Sequence, residues 1–193
     1  MTVPGFAGIA GRAVPIVQYP DPVLSTPCRA VDRFDDDLRR LIADMFASMY
    51  EAEGVGLAAN QIGVGLRVFV YDCPDADHRM HRGVVINPTL EATPLAERQL
   101  VEDDEGCLSV IYQHATVART DRAAVTGVDD NGDPIRVAGT GTLARCLQHE
   151  TDHLNGLLYI DRISAKARRK VLKGHQKTLA ELAQDGLESP ETG

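Results

Sequence analysis

The stretch TLARCLQHETDHLN, residues 142–155, contains two histidines that stand four residues apart. This spacing places both rings on one face of an α-helix, and Glu150 lies one residue round from His149, beside that face. Gly156 follows directly and is placed to end the helix, because glycine readily takes the left-handed conformation that closes many helices. We therefore predict a helix over 142–155 whose polar side chains are gathered on one face.

Two further helices are predicted, one on each side of this helix in the chain. Over residues 35–53, apolar residues recur at three- and four-residue steps behind an acidic first turn, and Gly54 follows. This pattern predicts an amphipathic N-terminal helix. A C-terminal helix is expected from about residue 164 to residue 187.

Between the first two helices the hydrophobic pattern changes to that of strands. Residues 67–71, 83–87 and 123–128 are short segments rich in β-branched residues, and turn-forming clusters such as 129–133 separate them. They predict strands and at least one hairpin. Because strands and helices do not alternate regularly, an α+β domain is favoured over a doubly wound sheet. We expect antiparallel or mixed β-sheets packed around the central helix, with the other two helices flanking them.

The length and charge of the chain limit its class. The 193 residues are enough for one sizeable core, so one domain over 1–193 is expected, with flexible ends at 1–13 and 185–193. A formal net charge of -8 argues against a general affinity for nucleic acids or anionic membranes. No apolar run reaches the roughly 20 residues that span a bilayer. We therefore predict no membrane partner and no sequence-specific binding of nucleic acid.

The cysteines and the first residues indicate a compartment. Four cysteines are scattered along the chain without the dense spacing of a secreted disulfide scaffold. The first dozen residues have neither a basic start nor an uninterrupted apolar stretch, so they do not resemble a signal or transit peptide. A cytoplasmic location is predicted.

The pattern His-Glu-x-x-His at residues 149–153 is typical of a hydrolytic metal site, with two ligands and a base on one helix. Such a metal needs about three protein ligands and an open position for water. One possible source of the third ligand is the metalloprotease pattern His-Glu-x-x-His-x-x-Gly-x-x-His. The chain matches this pattern as far as Gly156, but Tyr159 stands where the third histidine is expected. Cys146 is a second candidate for this ligand, in a closed structural zinc site, but it also fits a small apolar residue of the core. Cys107 is a third candidate, although it is remote in sequence. The remaining alternative is that the two histidines bind no metal and are ordinary residues on a helix surface.

Three separated segments resemble the signature motifs of the peptide deformylase family: GVGLAANQ at 54–61, EGCLS at 105–109 and QHETDHL at 148–154. Their order and approximate spacing match as well, and the resemblance extends over residues 16–163. It implies that Cys107, His149 and His153 are the metal ligands. It also implies removal of the N-formyl group from the N-terminal formyl-methionine of new polypeptides, with release of formate. In that reaction a metal-bound water attacks the formyl carbonyl, and Glu150 is the general base and then the acid.

The same resemblance implies which other groups serve the reaction. The side-chain amide of Gln61 and the backbone N–H of Leu108 are expected to donate to the oxyanion. Glu105 is expected to support the cysteine segment, through Arg119. The implied substrate contacts are Val55, Gly56, Gly106 and Cys146. One position departs from the family pattern: Ile111 stands where proline is usual, which leaves the shape of the cleft rim open.

The ligands alone leave the metal open, because histidine and cysteine suit zinc, iron, cobalt and nickel. The family implies Fe²⁺ physiologically, with Zn²⁺, Ni²⁺ or Co²⁺ as replacements in purified protein. The implied partners are N-formylmethionyl nascent peptides. An acid-free basic run on the last helix fits either a solvated face or docking on the ribosome near the exit of new chains. This run consists of Lys166, Arg168, Arg169, Lys170, Lys173 and Lys177.

Overall fold

The structure is a computed structural model that describes residues 8–187. Residues 1–7 and 188–193, which belong to the two ends predicted to be flexible, lie outside that range. The helices are α1 (Asp36–Glu51), α2 (Gly141–Leu154) and α3 (Ala165–Leu187). The strands are β1 (Gly56–Ala58), β2 (Val68–Pro74), β3 (Met80–Leu90), β4 (Leu100–Gly106), β5 (His114–Thr120), β6 (Arg122–Val128) and β7 (Pro134–Thr140).

The strands form two antiparallel sheets. Five of them lie in the order β1-β2-β3-β6-β7, and β4 pairs with β5 in a separate hairpin. Together with the three helices they make the α+β fold that the sequence predicts, with α2 as the central helix. No helix among the described residues is long and apolar enough to cross a membrane.

The large sheet is covered by a helix on each face, which explains why β2 is buried almost continuously. Val68 and Val70 belong to the core that contains the apolar face of α1. Phe69, Tyr71 and Cys73 belong to the core that contains the apolar face of α2. Because successive side chains of a strand point to opposite faces, β2 supplies both cores at once. The sheet therefore lies between α1 and the helix that carries the two histidines.

A third core joins α3 to the β4–β5 hairpin. It contains the buried residues Leu24, Val110, Val117 and Val171, together with the segment Leu158–Ile160. The contact on α3 is narrow, because Val171 and His175 are the buried residues of this helix within the described range. The charged residues of the basic run consequently remain largely at the surface.

The ends of α1 and α2 show how the chain leaves each helix. After α2, Gly156 has a φ of 75° and its N–H donates to His153 O, while the N–H of Leu157 donates to Asp152 O. This is a Schellman ending with glycine at the left-handed position, as predicted. After α1, the left-handed residue is Glu53, with a φ of 54°, and not the expected Gly54. Gly54 has another constraint, since a Cβ on it would lie 2.8 Å from Leu108 Cδ1.

The strands that the sequence does not predict are β1, β4, β5 and β7. In β4 the first five residues are exposed, and Glu102, Asp103 and Asp104 follow one another, so apolar and polar residues do not alternate. In β1 three buried residues give no period at all. These strands are defined by pairing with a neighbouring strand rather than by their own hydrophobic pattern.

Candidate active site

Helix α2 and the end of β4 bring three potential metal ligands together. Cys107 Sγ lies 3.2 Å from His153 Nε2, and the Nε2 atoms of His149 and His153 are also 3.2 Å apart. All three ligand atoms lie within 4.8 Å of one another, and among the described residues this is the one such group of His, Cys, Asp or Glu. A thiolate and two imidazoles form a donor set that suits zinc and the later first-row transition metals.

The two histidines differ in their electrostatic surroundings. Burial and the neighbouring His149 hold the pKa of His153 well below its usual value, which favours the neutral imidazole that a ligand requires. For His149 burial lowers the pKa, but hydrogen bonds with Cys107 and Glu105 raise it well above its usual value. In both rings Nε2 faces the ligand cluster.

Glu105 fixes the orientation of one ligand. Its Oε1 accepts a hydrogen bond from His149 Nδ1 at 2.6 Å, which leaves Nε2 of that ring for the ligand cluster. Arg119 donates to both oxygens of this carboxylate, at 2.6 and 3.0 Å, and Arg145 donates to Oε2 at 2.8 Å. Burial raises the pKa of Glu105, but His149 and Arg119 outweigh it and hold this pKa far below its usual range. The carboxylate is therefore charged beneath the surface.

Asp152 extends this charged network under the helix. Arg119 Nη1 donates to Asp152 Oδ2 at 2.6 Å, so one guanidinium joins the carboxylates of Glu105 and Asp152. Arg162 donates to both oxygens of Asp152. Because Arg119, Glu105 and Asp152 are each 5% exposed, breaking one pair leaves the other charges buried without full compensation.

Gln61 lies beside the cysteine in the 3-10 helix Ala59–Ile62. Its Oε1 accepts from the N–H of Ala58 at 2.9 Å, so its amide nitrogen is turned towards the cysteine segment. There Nε2 donates to Ser109 Oγ at 3.2 Å and lies 3.5 Å from Cys107 Sγ. The side chain is almost completely buried, and its position is fixed from both ends.

The carboxylate of Glu150 is buried. Its Oε2 has no hydrogen-bond partner in the described part of the chain. Burial raises the pKa of Glu150 to about 7, against a lowering influence of His149. The group is accommodated by Gly56, because a Cβ there would lie 2.5 Å from Glu150 Oε1 and 2.6 Å from Cys146 Sγ. Glycine in β1 thus leaves the room that this carboxylate occupies.

Cys146 lies apart from the ligand group. Its Sγ contacts Val55 O at 3.7 Å. A hydrogen bond with Cys73 and burial raise the pKa of Cys146 well above its usual value. Its thiol is therefore protonated, unlike the thiolate that binds a metal.

A single cleft of about 1090 Å³ connects these groups. His153 is buried beneath it, and the other site residues expected from the sequence line it. These lining residues are Val55, Gly56, Gln61, Gly106, Cys107, Leu108, Cys146, His149 and Glu150. The structure therefore brings all the expected residues to one place.

Sequence reasoning paired Glu105 with Arg119 but missed other residues that hold the site. Arg145 also binds the carbonyl oxygens of Val117 and Val101, at 3.0 and 3.2 Å, which attaches α2 to both strands of the hairpin.

Gln18 Nε2 donates to Leu108 O at 3.0 Å, and Asn60 Nδ2 donates to His153 O at 2.8 Å. Arg145 and Asp152 could have been identified from the sequence, since both are charged and lie on a helix predicted to be central. Asn60 lies in the first of the three motif segments, at 54–61, whereas Gln18 lies in none of them.

Comparison with known proteins agrees with this geometry. The family model described as "Polypeptide deformylase" matches residues 13–169. Peptide deformylase 1 of Streptomyces avermitilis is 55% identical over 163 residues, which cover 84% of this chain and 76% of that protein.

Solved structures give the same result. The peptide deformylase of Legionella pneumophila has a TM-score of 0.80 and 37% identity, and the match covers 93% of this chain and 100% of that one. The peptide deformylase of Synechococcus elongatus in complex with actinonin has a TM-score of 0.77 and 36% identity, covering 90% and 93%. The chain therefore belongs to the polypeptide deformylase family, whose members are metal-dependent hydrolases.

Proposed function

We propose that this cleft hydrolyses the N-formyl group of N-terminal formyl-methionine on new polypeptides and releases formate. The observation that carries the proposal is the position of Glu150. This buried carboxylate has an unpartnered oxygen and lines the same cleft as Cys107 and His149. A base beside a metal centre is the arrangement that amide hydrolysis requires.

The proposed ligands of the metal are Cys107, His149 and His153. We propose Fe²⁺ as the physiological ion and Zn²⁺, Ni²⁺ or Co²⁺ as replacements in purified protein, because the donor set suits each of them. When bound, such an ion lowers the pKa of a water molecule and polarises a carbonyl oxygen. Glu105 supports this role, since its hydrogen bond from His149 Nδ1 orients the ring.

Glu150 is the proposed general base and acid. Its carboxylate accepts a proton from the attacking water and passes it to the leaving amine of methionine. A pKa of about 7 suits both halves of this transfer near neutral pH, because the group accepts and releases a proton with similar ease. Gly56 keeps the carboxylate close to the edge of β1, where the substrate amide is expected.

Gln61 and Leu108 are the proposed donors to the oxyanion that forms at the formyl carbonyl. Support for Gln61 is that its oxygen is engaged by Ala58, so Nε2 is directed to the cysteine segment before any substrate arrives. Leu108 directly follows Cys107, so its backbone N–H belongs to the same segment, and Gln18 holds its carbonyl. Donors fixed in advance avoid a reorganisation cost during the reaction.

The peptide is proposed to bind as an extended strand between β1 and β4. Both are edge strands of their sheets, and residues of both line the cleft. An extended peptide adds to such edges through backbone hydrogen bonds. The proposed contacts with the methionine and its neighbours are Val55, Gly56, Gly106 and Cys146.

The decisive experiment compares formyl-Met-Ala-Ser with unformylated Met-Ala-Ser, using anaerobically purified protein of measured metal content. We expect formate from the first peptide and no cleavage of the second. An endopeptidase would instead produce new amino termini from the unblocked peptide. That outcome, or the absence of formate from metal-loaded protein, would contradict the proposed function.

We also propose that the enzyme acts in the cytoplasm and docks on ribosomal RNA through α3. Five members of the basic run are exposed; Arg168 pairs with Asp161 at 2.9 Å, and Lys177 pairs with Glu181 at 3.4 Å. Exposed cations bind phosphates in a salt-dependent way. The exposed members are Lys166, Arg169, Lys170, Lys173 and Lys177.

Charge reversal tests this docking without removing the buried contacts of α3. Changing Lys166, Lys170 and Lys173 to glutamate should abolish cosedimentation with ribosomes at low salt. The control has the same change of charge at exposed arginines elsewhere, namely Arg33, Arg79 and Arg98. Equal binding by the two triple variants would reject docking through α3.

A further inference from the structure

The cleft has an unusual turn at its rim, formed by residues 110–113 and called the rim turn below. The N–H of Gln113 donates to Val110 O at 3.3 Å, and Tyr112 has a φ of 56°. A positive φ at the third position is the mark of a type II turn, in which proline is common at the second position and glycine at the third. Ile111 and Tyr112 occupy these positions here. The turn keeps its form without either of the residues that favour it.

Tyr112 is unfavourable at this position in two ways. A side chain at positive φ is disfavoured by contacts with its own backbone, and glycine avoids this cost. The residue is also 75% exposed, although an aromatic side chain gains free energy when its large apolar surface is buried. A strained residue at a functional cleft is a reason to ask what its side chain does there.

The rim turn is held firmly by the structure behind it. Tyr159 Oη donates to Gln113 O at 3.1 Å, and Val110 is completely buried. On α3, Gly174 lies so close that a Cβ there would be 2.1 Å from Gln113 Oε1. Tyr112 therefore extends from a fixed turn rather than from a loose loop.

Three exposed apolar residues line this cleft at different points. Val55, Val101 and Tyr112 are 48%, 42% and 75% exposed, and all three line it. Val101 lies opposite Arg119, at the other end of the β4–β5 hairpin from the rim turn, so Tyr112 is the exposed apolar residue of the rim turn itself. Glu150, by contrast, is 4% exposed. A peptide whose formyl group lies beside Glu150 therefore extends from the buried floor into the open part of the cleft, which Tyr112 lines.

We propose that Tyr112 is a specificity-determining residue, whose ring packs on the side chain of one of the two residues after formyl-methionine. Its exposed aromatic side chain favours large apolar or aromatic side chains at that position. This inference rests on the proposed function. It predicts that the aromatic contact changes kcat/KM by about fivefold, the effect of one ordinary aromatic pair.

The test measures kcat/KM for formyl-Met-Phe-Ser, formyl-Met-Ser-Phe and formyl-Met-Ser-Ser by formate release. In the unmodified protein at least one phenylalanine peptide should exceed formyl-Met-Ser-Ser about fivefold. Tyr112→Phe should keep this ratio, and Tyr112→Gly should reduce it to less than about twofold. The matched control is His78→Gly, which also places glycine at a positive φ, here 62°, in an exposed position that does not line the cleft.

Folding is checked by the melting temperature, which should rise by about 2 °C in both glycine variants because glycine relieves the strain. The ratio should fall in Tyr112→Gly and stay unchanged in His78→Gly. A Tyr112→Gly protein that releases formate with the original ratio overturns this inference alone. Absence of formate from every formyl peptide with the metal-loaded unmodified protein overturns the proposed function as well.

Discussion

The floor and the mouth of the cleft are built in opposite ways. At the floor, Gln61, Glu105 and Glu150 are almost fully buried, and an ion-pair network joins β4, β5 and α2. At the mouth, Val55 and Tyr112 expose much of their apolar surface. Buried polar groups depend on one another, whereas exposed apolar groups act one at a time. Substitutions at the floor should therefore have large, coupled effects, and those at the mouth should have small, separate ones.

The largest effect is expected for Glu150→Ala at the floor. Loss of the base should lower kcat/KM for formyl-Met-Ala-Ser by about 10² to 10⁴-fold, while the metal content stays unchanged because all three ligands remain. Formate release and metal analysis on the same sample measure both quantities. Glu51→Ala is the control, since it removes an exposed carboxylate that lines the same cleft. Full activity of Glu150→Ala would contradict its assigned role.

Arg119→Met should lower the free energy of unfolding by about 3 to 5 kcal/mol, because it leaves the buried carboxylates of Glu105 and Asp152 without their shared cation. Denaturant unfolding measures this change. Arg136→Met is a suitable control, because it breaks a solvent-exposed ion pair with Glu91 and should cost far less stability. Equal losses in the two variants would show that burial of the network is not what stabilises it.

Gly56→Ala tests how closely the floor is fitted. Because a Cβ at this position would lie 2.5 Å from Glu150 Oε1, the carboxylate or the strand must move. A displacement near 1 Å should reduce kcat/KM about 10²-fold, with the metal retained. Gly65→Ala is the comparison, since a Cβ there meets nothing within 4 Å. Unchanged activity in Gly56→Ala would mean that the floor yields more easily than its burial suggests.

The two cysteines that line the cleft should respond differently to serine. Cys107→Ser is expected to weaken metal binding about tenfold or more, because it replaces a proposed ligand. Cys146→Ser should leave metal binding unchanged, since its Sγ contacts Val55 O outside the ligand group. Competition with a metal chelator measures both affinities. A similar loss in both variants would favour a closed structural site that includes Cys146.

Val101→Ser should have the smallest effect, as expected for the mouth. The side chain is 42% exposed, so the free energy of unfolding should change by less than about 0.5 kcal/mol. The value of kcat/KM for formyl-Met-Ala-Ser should change by less than about twofold, because Val101 is five residues along β4 from Gly106, away from the buried groups of the floor. A loss comparable to that of Glu150→Ala would remove the distinction between floor and mouth.

The sequence predicts the parts of this fold whose order is local. Helix α2 is predicted at 142–155 and found at Gly141–Leu154, and α1 is predicted at 35–53 and found at Asp36–Glu51. In both helices, residues close in sequence determine the hydrophobic period or the end of the helix. Strand β4 has neither, because its acidic residues are exposed and its position depends on pairing with β5.

The site residues also divide into those that a local pattern predicts and those that it does not. His149, Glu150 and His153 follow from helical spacing, and the family resemblance pointed to Cys107 and Gln61. The network around Glu105 extends further than either source suggested, because its cations come from two elements. Arg119 lies opposite Val101 in the hairpin, and Arg145 is on α2. Such contacts depend on strand register and on how the helix packs, neither of which a local pattern records.

The double coverage of the large sheet has a consequence for engineering. Val68 and Val70 face the core of α1, whereas Phe69 and Tyr71 face the core of α2, so the thickness of a sheet separates the first pair from the catalytic helix. Volume-conserving changes at α1-face positions that do not contact Leu108 should combine additively with changes in the cleft, since sites without shared partners rarely couple; Leu108 itself packs against the α1 core and lines the cleft. One side of the molecule is thus available for raising thermal tolerance while the other is redesigned for new substrates.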